Sequence, residues 1–123
     1  MSETFVWWFL VVSGVATAAA GLAGALVPSF LLPVAFGDDR PDAATMFFVR
    51  HWGLLIFLVG ALVFNAAYVP AIRGPVLFAA AIEKFAIGVL VFFGPLRRTL
   101  PMTAIALGDG LFAILYVAYL AGL

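Results

Sequence analysis

The chain has 123 residues, 67% of them hydrophobic and 10% charged, with a mean hydropathy of +1.25. A soluble domain carries about 25% charged and 45–50% apolar residues, so lipid, and not water, is the expected solvent. Six basic residues against six acidic ones exclude an electrostatic footprint for nucleic acid, and the absence of cysteine excludes disulfides, thiolate metal sites, iron–sulfur clusters and thiol redox chemistry.

The first apolar run extends from Phe5 to Phe36. As one helix it would measure about 48 Å, well over the ~30 Å of bilayer hydrocarbon, so it has to break. Pro28 removes a backbone donor, and the first span is expected at about residues 5–27. Ser29–Phe36, punctuated by Pro33 and closed by Gly37, then reads as an interfacial or re-entrant segment. Gly37–Asp42 (GDDRPD) is the one clearly aqueous stretch. A second span is expected at about 46–69, stopped by Pro70, and a third at about 76–93, stopped by Gly94 and Pro95. After LRRTLP (Leu96–Pro101) the fourth lies at about 102–120. The fold class predicted is all-α: one four-helix transmembrane domain over residues 1–123. The opening MSET lacks the positive region of a signal peptide, and the apolar run is too long for one.

Arg40, Arg97 and Arg98 lie in loops one and three, with Arg50 just inside the second span, against Arg73 alone on the opposite side. The positive-inside rule puts loops one and three in the cytoplasm and both termini outside. Arginine over lysine, with abundant Ala, Gly and Val, reads as GC-rich bacterial coding, hence a bacterial cytoplasmic (inner) membrane. The first helix is crowded with small residues, Gly14/Ala18, Thr17/Gly21, Ala20/Gly24 and Gly21/Ala25 being small-xxx-small pairs. Such pairs let backbones approach closely where lipid supplies no hydrophobic drive. They suit packing inside the bundle, or a homodimer or larger membrane complex built on that face.

Function, on this reading, lies in the ionisable groups at membrane depth, each costing ~2.5–3.5 kcal/mol at mid-span on insertion scales unless compensated. These are Arg50 and His51 on the second span, Glu83 and Lys84 on the third, and Asp109 on the fourth; Asn65, Tyr68, Tyr116 and Tyr119 add hydrogen-bonding capacity nearer the outer face. Counted by helix rise, Arg50 and His51 lie roughly 6–8 Å deep, Asp109 roughly 12–14 Å, and Glu83 and Lys84 near the midplane. Snorkelling lets Arg50, Glu83, Lys84 and Asp109 form one neutral network. Glu83 is expected at its centre, because a lysine can snorkel and a glutamate cannot. Asp109, between Gly108 and Gly110, offers close approach to a backbone or ligand. No metal-ligand spacing is present and no cofactor is expected; His51 beside Trp52 reads as a headgroup-level residue.

The arginine opening FFVRHWGLLIFLVGALVF (Phe47–Phe64), the glutamate in AAAIEKFAIGVLVF (Ala79–Phe92) and the aspartate in IALGDGLFAILY (Ile105–Tyr116) resemble the DoxX-like superfamily of small four-helix bacterial membrane proteins. The resemblance covers roughly residues 46–120 and implies Arg50, Glu83 and Asp109 as family-like polar positions. It also implies an accessory or assembly role, since some members accompany membrane redox enzymes and some animal relatives assist receptor assembly. The cysteines of some redox-linked members are missing here. Two further functions fit the residues. One is a binder of, or proton-transfer enzyme on, a lipid-soluble molecule such as a quinone, isoprenoid or lipid, with Glu83 and Asp109 as donor and acceptor. The other is a dimeric proton-coupled transporter.

Overall fold

The computed structural model describes residues 1–123. It is all-α, and its four long helices are each apolar and long enough to cross a membrane. These are α1 (Glu3–Leu26), α3 (Ala43–Tyr68), α4 (Arg73–Phe93) and α5 (Leu100–Leu120). A short helix, α2 (Pro28–Leu31), runs into a π-helical turn, Leu32–Phe36, between the first two. Each span except α4 opens on a side-chain cap. Ser2 accepts from the Phe5 N–H at 3.2 Å, Asp42 from Thr45 at 2.7 Å and Thr99 from Met102 at 3.3 Å. A cap satisfies N–H groups that the helix itself leaves unpaired. The spans therefore begin two or three residues before the positions expected from hydropathy alone. The Thr45 N–H holds the Asp42 carboxyl below its ordinary range, so this cap persists at neutral pH and is lost as pH falls through that lowered value. α4 starts straight out of a 3-10 turn, Pro70–Ile72; Pro75 is harmless in its first turn, where no intrahelical acceptor awaits an N–H.

The expected break after the first span falls at Val27, whose backbone leaves the helical region at φ −132° and ψ 54°. Ser29–Phe36 returns as the wide turn, which ends at Gly37 with φ +70°, a conformation that suits glycine.

α1 and α3 make the tightest pair, α4 and α5 a second, and α3 leans on α4. The first seam is backbone against backbone. A Cβ on Gly14 would lie 2.7 Å from the Phe64 nitrogen and 2.9 Å from the Gly60 oxygen. At Gly21, Gly53 and Gly60 the approach is closer still, against Phe57, Ala25 and Ala18. The small residues of the first helix are thus used within the chain, and Gly14, Gly21 and Gly24 are buried.

The bundle is filled unevenly along its axis. The core of Val6, Phe9, Leu10, Val63, Ala66, Ala67, Leu77, Ala80, Ala81 and Tyr116 occupies the half nearest loop two. That end is tied by Arg73, which hydropathy placed in a loop but which is 2% exposed. Its Nε donates to the Ala66 carbonyl at 2.7 Å and its Nη2 to Ala67 at 3.0 Å. Both acceptors belong to the last turn of α3, where carbonyls lack partners and a cation is favoured. The same guanidinium meets Glu3 at 2.6 and 2.9 Å and reaches the Tyr119 hydroxyl at 3.5 Å. One side chain so joins the ends of all four spans.

Two outcomes follow for purified protein in detergent. Gly53→Ala forces apart the α1–α3 seam and lowers the thermal midpoint, as overpacking costs about 1–3 kcal/mol. Gly88→Ala, whose Cβ meets nothing within 4 Å, leaves the midpoint unchanged or raises it by up to the ~1 kcal/mol of helix propensity. In the second series Arg73→Ala lowers the midpoint more than Glu3→Gln. The first strands two buried carbonyls and a carboxylate, while the second leaves Arg73 its backbone acceptors.

Candidate functional site

Helical spacing builds a polar layer at mid-depth. Arg73, Leu77, Ala80 and Lys84 form one buried stripe of α4, at the i, i+4, i+7, i+11 positions that face a single neighbour. Ser13 and Thr17, four apart on α1, and Asp109 and Tyr116, seven apart on α5, project toward it.

Lys84 is the centre of this layer, fully buried, with its ammonium donating to Thr17 Oγ1 at 2.7 Å and Asp109 Oδ1 at 3.0 Å. The Phe112 ring lies 5.9 Å away. Glu83 sits beside it, not at the centre; its Oε2 is 4.0 Å from the ammonium, beyond hydrogen-bond length. The expectation that the glutamate takes the bundle axis is corrected here. An ammonium carries three donors that can be shared between α1 and α5, whereas a carboxylate at that point would face the Thr17 hydroxyl alone. Toward loop two, the Tyr116 hydroxyl donates to Ser13 Oγ at 2.5 Å, and Ser13 donates to the Leu10 carbonyl at 3.4 Å.

On the loop-one and loop-three side of this layer the bundle is hollow. A cavity of about 210 Å³ lies between α1, α4 and α5, roofed by Thr17, Glu83, Lys84 and Asp109 and walled by Ala20, Ile56, Ile87, Met102 and Phe112. Leu31, Ala35 and Phe36 of the wide turn close its end, and Trp52 covers one flank while resting on Gly24. The Thr99 hydroxyl donates to the Ala35 carbonyl and pins that floor to the start of α5. Ala16 and Ile105 also line the cavity and are exposed, so it opens sideways between α1 and α5. One polar atom in the layer is unmatched: Glu83 Oε2 is buried and has no hydrogen-bond partner.

Of the residues singled out from sequence, the structure brings together Glu83, Lys84 and Asp109. It keeps Arg50, His51 and Asn65 apart from them, all exposed. Arg50 extends along the α1–α3 seam and donates to the Ala25 carbonyl at 3.0 Å, so the network contains one cation, not two. No three imidazole or carboxylate groups converge anywhere in the chain. Sequence reasoning missed Thr17 and Ser13; Tyr116, expected to add hydrogen-bonding capacity, supplies it to Ser13. The hydroxyls at 13 and 17 were counted as small packing residues, although their four-residue spacing marks one face.

Comparison with known proteins is silent: no family model, curated protein or solved structure matches this chain.

The polar layer makes a graded prediction. Lys84→Met leaves two carboxylates without their cation and should cost about 3–5 kcal/mol. Lys84→Met with Asp109→Leu recovers part of that loss, and Thr17→Val costs only about 1 kcal/mol. Thermal midpoints in one detergent that failed to rank in this order would contradict the arrangement.

Proposed function

We propose that the chain binds a lipid-soluble small molecule with an apolar body and a hydrogen-bond-donating head, taken up from the bilayer between α1 and α5. The observation that carries this is the unpartnered Glu83 Oε2 in the polar layer that roofs a cavity with apolar walls. A buried acceptor left unpaired costs ~1–3 kcal/mol, and a donor on a ligand removes that cost. The charges point the same way. With all three groups ionised, Glu83, Lys84 and Asp109 sum to one negative charge, which a low-dielectric site compensates by attracting a donor or a cation. At about 210 Å³ the cavity is smaller than the ~300–1,000 Å³ typical of drug-sized sites. It suits a compact head, such as a ring bearing hydroxyls, with the tail leaving through the lateral opening. In this role Glu83 accepts from the head, Asp109 and Thr17 hold the ammonium still, and Phe36 and Trp52 close over the ligand.

The same reading places the chain in a bacterial cytoplasmic membrane with loops one and three inside. It is supported by Arg40, Arg50, Arg97 and Arg98 on that side, while Arg73 at the other end is consumed by Glu3. The accessory role implied by the DoxX-like resemblance is the second reading, and it is favoured by the pairing of Lys84 with Thr17 and Asp109, which by itself accounts for a buried lysine.

The test is mass spectrometry of the protein extracted gently from native membranes. A bound small molecule of defined mass is expected with the wild type. Ile105→Trp, which fills the lateral opening, should remove it, and Glu83→Gln should weaken its retention about 10- to 100-fold, the worth of one hydrogen bond to a charged acceptor. Bare wild-type protein, or retention indifferent to both changes, would leave only the accessory reading.

A further inference from the structure

A second cavity lies at the membrane face beside loop three. Its volume is about 140 Å³, and its lining joins Arg97 and Arg98 to the apolar side chains of Leu90, Val91 and Leu96. Phe36, Ile87 and Met102 form its inner wall and separate it from the central cavity, whose lining they share. Both arginines are exposed and neither meets a carboxylate. Loop one, on the same face, does not supply one: none of Asp38, Asp39 and Asp42 forms an ion pair, Asp38 accepting from the Arg40 N–H at 3.3 Å and Asp42 capping α3. Arg98 also lies over the Phe92 ring at 5.3 Å, beside Val91 of the groove. α5 begins within two residues of this pair, and its N-terminus adds a partial positive charge.

Two unpaired guanidinium groups above an apolar groove, at the depth where a span ends, match a ligand with an anionic head and a hydrocarbon tail that start at the same point. Free anions would use the charge and leave the groove empty; an uncharged lipid would use the groove and leave the charge. The planar guanidinium fork pairs with phosphate oxygens two at a time. We propose that Arg97 and Arg98 hold the phosphate of an anionic glycerophospholipid whose acyl chain lies along Leu90, Val91 and Met102. This site lies on the other side of the Phe36, Ile87 and Met102 wall from the central cavity and takes a different ligand. The bound acyl chain packs on Phe36, so the lipid braces the wide turn from the outside.

The experiment uses the full chain in mixed micelles holding equal amounts of phosphatidylcholine and phosphatidylglycerol, with native mass spectrometry of the retained lipid. Wild type should retain phosphatidylglycerol preferentially. Replacing both arginines (R97Q with R98Q) should lower the ratio of anionic to zwitterionic lipid roughly 10- to 30-fold, the scale of two juxtamembrane cations. R40Q removes a charge from the same face without touching the groove, and E83Q alters the central cavity only; both should keep the preference, as should wild type in millimolar inorganic phosphate. Equal retention of the two lipids by wild type, or an unchanged ratio in the double variant, would overturn the proposal. So would an equal loss in R40Q, which would assign the effect to diffuse charge, or displacement by phosphate alone. Because E83Q leaves this readout alone, failure here and failure of the central site are told apart.

Discussion

A single buried ammonium organises this molecule. Lys84 lies at the middle of α4 with no exposure, and it is stable there because two different helices supply its acceptors, Thr17 from α1 and Asp109 from α5. An uncompensated charge in hydrocarbon is driven out by snorkelling or by withdrawal of the helix; a compensated one becomes a cross-link. The α1–α3 pair and the α4–α5 pair meet along α3 and α4 and in the shared core, with Lys84 joining them at the middle and Arg73 at one end.

That cross-link also divides the bundle into two unlike halves. Above it, toward loop two, Leu, Val, Ala and Tyr116 fill the interior. Below it the same four helices leave a void, and a wide turn, rather than side chains, closes the end. The difference follows from residue sizes: Gly108, Asp109, Thr17 and Ala20 are too short to meet across a gap that Phe9, Leu10 and Tyr116 span easily. A hollow beneath a polar ceiling is what a carrier or a receptor of hydrophobic molecules needs, and packing strength in the opposite half is what allows the hollow to persist.

The four spans were legible in sequence because apolar runs, prolines and glycines punctuate the chain at bilayer-length intervals. Their starts were not, because Ser2, Asp42 and Thr99 act by capping, which hydropathy does not measure. Asp109 and the Glu83–Lys84 pair were visible as charges in apolar runs, but which of two adjacent residues faces inward depends on helix rotation, and rotation is set by neighbours. Arg50 falls on an exposed face of α3, away from the network, for the same reason. Arg73 was hidden by the prolines at 70 and 75, which read as a loop although the second sits harmlessly in a helical first turn. Ser13 and Thr17 were masked by the small residues around them.

The glycine seam carries one more implication, for how the first hairpin can misalign. Gly14 meets Gly60 and Gly21 meets Gly53, so each helix repeats its glycine after seven residues, or two turns. A slide of α3 by one such repeat, about 10.5 Å, would set Gly53 against Gly14 and keep one of the two close approaches. The hairpin by itself therefore has a near-miss alignment, opposed within α1 and α3 only by the second lost approach and the Arg50–Ala25 hydrogen bond. The later helices add to that. Arg73 and Lys84 ride on α4, which begins only a few residues beyond the end of α3, and in the displaced alignment they would be carried past Glu3 and Thr17 together. The charges of the second hairpin thus proofread the first.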